Sequence, residues 1–496
     1  MATAGGVYRF GPFALDPARR RLTRNGDIVP LPPRQMDVLL ILVAKAGHAV
    51  SIQEIAEGAW PDTAVGDSSV AQAIRGLRVA LGRTQGSEPA IATLVGTGYR
   101  FAAPVERAHD RQSPVALRWL LDPYRAFVEG RAALETFDRD EVERAGQAFA
   151  EALRIEPGLP AAHIGMASVC LLRFEATRVD ATPDRTVLTQ AERHADEGCQ
   201  LAPSSADAWC TYALVAYRTG HPRDALAASY KALALEPDNW RHHLRMAAVT
   251  WGEDRVRAAS RALALCPQLP VAHWFIATVC VARGVLTQAL EQLREACALQ
   301  DAQRQAQRED GAPRLTAVGS HWLRGLVLAA TGAEEAAFDA FARELALENP
   351  RHVYGREAGA NAWYATGALH LRAGRHDASR AAFEETVTRV PSHPCAVIGR
   401  LAAGPRDPNV DAAFIQRLMQ PESSAAPVRV DAVVARAAAL ALLGKHDDAA
   451  RLCLHALQQA GPGSAGWLLP VEPLLNTRAR RAAWAVALAD VSARAV

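Results

Sequence analysis

A basic, hydrogen-bonding helix face is the strongest chemical feature of the sequence. Between residues 69 and 82, Gln72, Arg75 and Arg78 recur every three residues and lie outside an apolar stripe. That stripe has the spacing of a buried helix face and consists of Val70, Ile74, Leu77 and Leu81. Arginine and glutamine side chains can pair with base edges in the major groove of DNA. A solvated amphipathic helix has the same pattern, and from charge alone it is the better interpretation.

The segment that follows this helix shifts the balance towards DNA recognition. Ile91, Thr93 and Val95 alternate as in a strand, and Gly96-Thr97-Gly98 forms a turn before Tyr99-Arg100-Phe101. This pattern predicts a β-hairpin directly after the basic helix.

The residues before the basic helix predict a small sheet and two further helices. Apolar positions flank a Gly11-Pro12 turn and an Asn25-Gly26 turn, which is typical of antiparallel strands. Pro33 then suits the first turn of a helix. Ser51 followed by Glu54 is a capping box, so a second helix begins there. A third helix follows with the basic face described above.

Across residues 7–104 the sequence resembles the OmpR/PhoB-type winged-helix domain of transcription regulators. Several blocks occur in the order that the family has, which makes the likeness specific. The blocks are Tyr8-x-Phe10-Gly11, Pro33-Arg34-x-x-x-Val38-Leu39, Val50-Ser51, Trp60-Pro61, Ile74-x-x-Leu77-Arg78-x-x-Leu81-Gly82 and Gly96-Thr97-Gly98-Tyr99-Arg100-Phe101.

The resemblance implies that the third helix reads the major groove and that the hairpin, the wing, approaches the minor groove. The residues that it assigns to DNA are Arg34, Ser69, Gln72, Arg75, Arg78, Thr93 and Thr97. It also implies that the loop before the third helix contacts RNA polymerase. The residues of that contact are Trp60, Asp62, Thr63 and Asp67.

Two positions depart from the family pattern. Gly76 and Val95 stand where family members often carry arginine. They leave an alternative open, in which the chain is an interaction scaffold whose degenerate winged helix does not bind DNA specifically. Sequencing of the chromosomal DNA that the protein binds separates the two interpretations.

Charge is divided unevenly along the chain. The whole sequence has a formal net charge of +2. Residues 1–105 carry eleven Lys and Arg against eight Asp and Glu, a net charge of +3, which leaves −1 for the rest. The basic part therefore coincides with the predicted DNA-binding domain.

The sequence contains no recognisable catalytic or metal-binding motif. The eight cysteines form no C-x-x-C pair, and H-E-x-x-H, G-x-x-x-x-G-K-[ST] and G-x-S-x-G are absent. We therefore expect no enzyme activity, no cofactor and no metal, and we expect the cysteines to be buried thiols. We also expect a cytoplasmic protein, because neither a signal peptide nor a run of about 20 apolar residues is present.

From residue 119 onward, helical patterns recur with a period near 34 residues, the spacing of tetratricopeptide repeats. The clearest repeat contains Trp209, Ala213, Gly220, Ala225, Ala232 and Pro237 at the expected offsets. Each helical pair buries its apolar side only by stacking on its neighbours, so we expect about eight pairs in one array. Residues 301–314 and 402–429 are predicted to be loops within it.

The predicted fold is a small α+β winged helix-turn-helix domain followed by an all-α tetratricopeptide-like solenoid. The predicted parts are the winged helix (1–105), a linker (106–118), the repeats (119–466) and C-terminal capping helices (467–496). The predicted function is that of a transcription regulator that binds double-stranded DNA. We expect the repeats to bind a protein partner or small-molecule effector on their concave face.

Overall fold

An N-terminal unit of strands and helices precedes a long helical array. The computed structural model describes residues 7–17, 19–60, 67–82, 89–94, 97–108, 130–131, 133–310, 317–404 and 430–496. The chain divides into two units, residues 1–125 and residues 126–496. The first is an α+β winged helix and the second is an all-α solenoid, which confirms the predicted fold class.

The first sheet contains the N-terminal strands. They are β1 (Val7–Phe10), β2 (Phe13–Asp16), β3 (Arg21–Arg24) and β4 (Asp27–Val29), and β8 (Glu106–Ala108) pairs on the far side of β1. Each neighbouring pair is antiparallel. Asn25 and Gly26, between β3 and β4, have φ angles of +52° and +98°. Both values are those of a tight hairpin turn, as the sequence predicts.

Strand β8 corrects the predicted start of the linker. The prediction places residues 106–118 outside the domain, whereas Glu106–Ala108 pairs with β1 through Tyr8 and Arg107. The residues Glu-Arg-Ala show no apolar alternation, and their pairing uses backbone groups that any of these residues supplies. The sheet therefore extends to Ala108, and residues 109–118 lie outside the described residues.

Three helices and a second sheet complete the winged helix. The helices are α1 (Pro33–Ala44), α2 (Ile52–Ala59) and α3 (Asp67–Leu81). The strands β5 (Ala49–Val50), β6 (Ile91–Leu94) and β7 (Gly98–Phe101) form a sheet in the order β5-β7-β6. At the start of α2 the Ser51 hydroxyl accepts a hydrogen bond from the Glu54 amide at 3.1 Å, as the capping box predicts. The Glu54 carboxylate itself binds the Lys45 ammonium.

The core of this domain lies between the sheets and the helices. Phe10 packs edge-on against Phe101, with ring centroids 5.0 Å apart, and both rings are buried. This contact joins β7, which carries one side of the wing, to the first sheet. The buried residues of α1 are Met36, Val38, Leu39, Leu42 and Val43.

The second unit is a series of antiparallel helical hairpins. The helices before the first gap are α4 (Arg139–Ile155), α5 (Pro160–Thr177), α6 (Thr186–Leu201), α7 (Ala206–Arg218), α8 (Pro222–Leu235), α9 (Trp240–Val249), α10 (Gly252–Leu265), α11 (Pro270–Ala282) and α12 (Leu286–Asp310). The later helices are α13 (Ser320–Ala330), α14 (Glu334–Ala346), α15 (Gly355–Arg372), α16 (His376–Arg389), α17 (Pro394–Ala403), α18 (Val430–Leu442), α19 (His446–Gln459) and α20 (Arg481–Arg494).

Helix α12 corrects one predicted loop. Residues 301–310 are helical, although the sequence predicts a loop at 301–314. The segment is polar, and its alanine, glutamine and arginine residues are good helix formers. The polar composition of this segment predicts a loop, whereas the helix propensity of its residues correctly predicts a helix. Of the second predicted loop, 402–429, residues 402 and 403 belong to α17, and residues 405–429 lie outside the described residues.

Glycines on one helix pack against phenylalanines on the adjacent helix. A Cβ atom at Gly165 would lie 2.5 Å from the ring of Phe149, which is fully buried. The same relationship joins Gly325 to Phe341 and Gly367 to Phe383. The repeat pattern of small and large residues thus reflects close helix crossings.

The beginning of the array contacts a late hairpin. The Arg139 amide donates to the Arg351 carbonyl at 2.8 Å, beside a β-bridge between Asp138 and His352. The guanidinium of Arg356, on α15, binds the Asp180 carboxylate after α5. Residues about 175 to 215 positions apart therefore meet, and the array bends back on itself.

The C-terminal segment packs against helices in the middle of the array. Trp467 lies edge-on to Trp274 of α11, with centroids 6.0 Å apart. The Tyr364 hydroxyl of α15 donates to the Glu472 carboxylate. Residues 467–496 contain a short 3-10 helix (Leu469–Val471) and α20, and they reach beyond their neighbour α19. They do not simply cover the last hairpin, as a terminal cap would.

The cysteines are buried thiols, as the sequence predicts. All eight are free, and all except the half-buried Cys266 are buried. Burial raises the pKa of the Cys199 and Cys453 thiols to about 12, so both are protonated and unreactive at neutral pH. Among the described residues, no helix has both the length and the apolarity that a membrane span requires.

Candidate nucleic-acid interface

Helix α3 presents a buried face and an opposite exposed face. The buried face packs in the core and consists of Val70, Ala73, Ile74, Leu77 and Leu81. One row of exposed residues on the opposite face, which we call the recognition stripe, consists of Ser68, Gln72, Arg75 and Val79. These four lie in one row because their spacings of four, three and four residues follow the helical repeat. Their hydroxyl, amide, guanidinium and methyl groups are types that contact base edges.

The structure separates the predicted DNA contacts of α3. Gln72 and Arg75 lie on the recognition stripe, and Ser69 lies beside it, half-buried. Arg78 points to the flank that faces the wing. Its Nε and Nη2 donate to the Ile91 carbonyl at 3.1 and 2.9 Å, and Nη2 also donates to the Thr93 hydroxyl at 2.7 Å. Arg78 therefore connects α3 to β6.

The opposite flank of α3 faces α1 at Gly76. A Cβ atom at Gly76 would lie 2.3 Å from Nε2 of Gln35, a residue in the first turn of α1. Gly76 is half-buried and lies beside the recognition stripe, one helical turn after Gln72. The position where family members often carry arginine is thus covered here by a side chain from another helix.

The wing strands are held close to β5. Gly98 has a φ of +138°, and a Cβ atom there would lie 2.2 Å from the Val50 carbonyl oxygen. Only glycine fits this approach of two backbones. Thr93 and Thr97 are exposed near the tip of the wing. Val95 lies outside the described residues.

The remaining predicted contacts lie on α1, directly after α2 and at the start of α3. Arg34 donates from Nη1 to the Ala59 carbonyl at 2.6 Å, which joins α1 to the end of α2, and its side chain is 45% exposed. Trp60 follows α2 and packs half-buried against the core. Asp62 and Thr63 lie outside the described residues. Asp67 begins α3, and its side chain is not described.

Three residues of this surface, Ser68, Val79 and Gln35, are absent from the contacts predicted from the sequence. Val79 extends the recognition stripe, and its position four residues after Arg75 was the available signal. Gln35 lies one residue before the buried Met36. Nothing in the sequence indicates its packing on Gly76, since the two residues are 41 positions apart in the chain.

Several buried ionisable groups of the array have structural partners. Glu175 is 3% exposed and contacts both Arg178 and Arg218, and Arg178 also binds Glu357, so three helices are joined. His163 and His194 bring their Nδ1 atoms to 3.0 Å, and burial lowers the pKa of His194 to about 4. In the described part of the chain, no group of three or more His, Cys, Asp or Glu residues is arranged to hold a metal ion.

The winged-helix residues match a known family. The family described as "Transcriptional regulatory protein, C terminal" matches residues 26–101. The chain is 31% identical over 100 residues to the transcriptional activator CadC of Escherichia coli, covering 20% of each protein. It is 36% identical over 87 residues to the transcriptional regulatory protein CutR of Streptomyces coelicolor, covering 18% of this chain and 39% of CutR. The chain therefore spans less than half the length of these relatives.

A solved structure of the same kind covers the N-terminal part. The DNA-binding domain of E. coli CadC is 29% identical and aligns over 21% of this chain and 100% of its own, with a TM-score of 0.20. The family match to residues 26–101 supports the resemblance of the N-terminal domain to the OmpR/PhoB-type winged helix.

Proposed function

We propose that this chain, whose N-terminal domain is an OmpR/PhoB-type winged helix, is a transcription regulator that binds specific double-stranded DNA. The recognition stripe carries this proposal. Gln72 and Arg75 are exposed on a helix whose opposite face is buried in the core. A helix that is held by its buried face and exposes hydrogen-bonding groups on the other suits the major groove. The match to regulators of transcription supports the same function.

In this proposal the side chains of the recognition stripe read bases. Arg75 can pair with O6 and N7 of guanine, and Gln72 can pair with N6 and N7 of adenine. The basic domain, with its net charge of +3, supplies the attraction to phosphate. Arg34 is half-exposed at the start of α1 and can reach the phosphate backbone.

Arg78 has a different role from Arg75. Its Nε and Nη2 groups donate to Ile91 and Thr93 within the domain. We therefore assign Arg78 to positioning the wing relative to α3. Thr93 and Thr97 then contact the DNA backbone near the minor groove.

We assign the helical array to control of the DNA-binding domain by a protein partner or small effector, acting in the cytoplasm where the DNA is. Stacked helical hairpins provide large surfaces for such binding. Residues 467–496 already cover parts of α11 and α15. A partner at those helices has to bind beside this segment or replace it. Contact of residues 60–67 with RNA polymerase stays a prediction from the family resemblance.

The test is sequencing of chromosomal DNA that co-purifies with the tagged full-length protein from bacteria. We expect discrete bound regions that share a sequence. Arg75→Ala should remove them, because it deletes a group of the recognition stripe. Arg257→Ala, which changes an arginine of α10 that is 72% exposed, is the matched control and should keep them. Absence of shared regions for the unmodified protein would favour the scaffold alternative.

A further inference from the structure

The amide of Gln35 lies directly on the surface of α3 at Gly76. From the position of a Cβ atom at Gly76, the amide nitrogen, carbon and oxygen of Gln35 are 2.3, 2.7 and 2.9 Å away. No side chain could occupy Gly76 while Gln35 keeps this position. The Gln35 amide can therefore occupy this position only because residue 76 has no side chain.

This amide borders the recognition stripe. Gly76 follows Arg75 directly and lies one helical turn after Gln72, and both of these residues are exposed. Gln35 projects from the first turn of α1, which begins at Pro33. The amide of Gln35 thus lies beside the four side chains of the recognition stripe, and it comes from a different helix.

The amide of Gln35 is available to a ligand. Among the described residues, its side chain has no hydrogen-bond partner, and its nitrogen and oxygen are not enclosed away from solvent. Gln53 provides a contrast, because its amide donates to Glu57 at 2.8 Å. A neutral amide that carries one donor and one acceptor matches the edge of adenine in the major groove.

We propose that Gln35 is a specificity-determining residue, which reads an adenine beside the base pairs contacted by Gln72 and Arg75. The proposal rests on the DNA-binding function proposed above and adds to it. In this arrangement Gly76 is a positioning residue, because its lack of a side chain lets the Gln35 amide lie against α3. A substitution at either residue then acts on the same base pair.

The experiment is selection of bound duplexes from a random library by the purified full-length protein. Four variants are compared with the unmodified chain: Gln35→Ala, Gly76→Ala, the double variant, and Gln53→Ala as a matched glutamine control. Circular dichroism verifies that each is folded. If Gly76→Ala does not fold, the motifs selected by Gln35→Ala and Gln53→Ala still show whether Gln35 reads a base.

We expect the selected motif to contain one position where adenine is preferred about 5- to 150-fold, the range for one well-formed amide–adenine pair. Gln35→Ala should reduce that preference to near one and leave the other positions unchanged. Gly76→Ala should relax the same position, and the double variant should add nothing further. Gln53→Ala should give the unmodified motif.

Two results would overturn the proposal, and they differ from failure of the proposed function. Gln35→Ala could select the same motif with every preference intact, or it could lower affinity equally for all sequences, as loss of a phosphate contact would. In both cases the protein still binds DNA specifically and only the role of Gln35 is wrong. If the unmodified chain selects no motif, the proposed function fails, and the role of Gln35 fails with it.

Discussion

The Thr93 hydroxyl of the wing lies 2.7 Å from Nη2 of Arg78 on α3. The same nitrogen donates to the Ile91 carbonyl at 2.9 Å, so one guanidinium bridges the helix and two residues of β6. We assign α3 to the major groove and the wing to the minor groove. Arg78 therefore fixes the relative position of the two elements that have to contact DNA together.

Arg78→Ala should weaken the domain as well as DNA binding. Each hydrogen bond from a charged donor contributes at most about 1.5 to 3 kcal/mol to the free energy of folding. Water that hydrates the groups left behind recovers part of this free energy. We expect faster amide hydrogen exchange at residues 91–94, measured by mass spectrometry on the full-length protein. Arg78→Lys keeps the charge without the planar two-nitrogen geometry and should show the same loss to a smaller degree. Unchanged exchange in both variants would mean that Arg78 does not hold the wing.

The sequence predicts the winged helix well because its signals are local. Asn25 and Gly26 mark a hairpin, Ser51 marks the start of α2, and Gly98 marks the approach of two strands. Strand β8 was missed because its pairing with β1 depends on backbone groups about 100 residues away. The hydrogen bonds of Arg78 to β6 and the packing of Gln35 on Gly76 were missed for the same reason. The neighbours of each flank of α3 are set only when the whole domain is assembled.

The array shows the same limit on a larger scale. The 34-residue period predicts the hairpins, since each signature glycine or alanine marks a crossing of adjacent helices. It does not predict that Arg139 meets Arg351 or that Trp467 meets Trp274, because these contacts depend on the curvature accumulated over several repeats. Curvature arises from small rotations at each interface, which no single residue encodes.

Gly165→Ala tests the close helix crossings of the array. Its Cβ would lie 2.5 Å from the Phe149 ring, which is fully buried and has no free space to enter. Overpacking costs about 1 to 3 kcal/mol, which opposes a gain of about 1 kcal/mol in helix propensity. We expect a lower melting temperature by circular dichroism. Gly158→Ala, where a Cβ meets nothing within 4 Å, is the control and should melt within error of the unmodified chain or above it.

Glu472→Gln tests the attachment of the C-terminal segment. Burial raises the pKa of Glu472, whereas its hydrogen bonds from Tyr364 and the Leu474 amide lower it less. A folded-state pKa above the unfolded value means that the protonated form stabilises the fold, and that this stabilisation is lost as pH rises through the folded pKa. Glutamine keeps the shape and an acceptor oxygen for Tyr364 without the charge.

We therefore expect Glu472→Gln to melt at a higher temperature than the unmodified chain at pH 8. The difference should shrink as pH falls towards the ordinary glutamate pKa of about 4.3, measured by thermal unfolding at several pH values. Glu151→Gln is the control, because Glu151 lies on the exposed surface of α4 and is 52% exposed. A difference that is independent of pH, or a lower melting temperature at pH 8, would contradict a buried, unfavourably ionised carboxylate.

Binding of specific DNA by the recognition stripe of α3 is tested by the affinity of the full-length protein for the duplex that it selects. Fluorescence anisotropy between about 50 and 200 mM salt, with a scrambled duplex for comparison, gives both the affinity and its salt dependence. We predict tighter binding to the selected duplex and a linear fall of log affinity with log salt. Arg75→Ala should lose about 5- to 150-fold on the selected duplex and much less on the scrambled one, while Arg257→Ala changes neither. Specific binding would be contradicted if the unmodified chain had equal affinity for both duplexes. A role for the recognition stripe would be contradicted if Arg75→Ala bound the selected duplex as tightly as the unmodified chain.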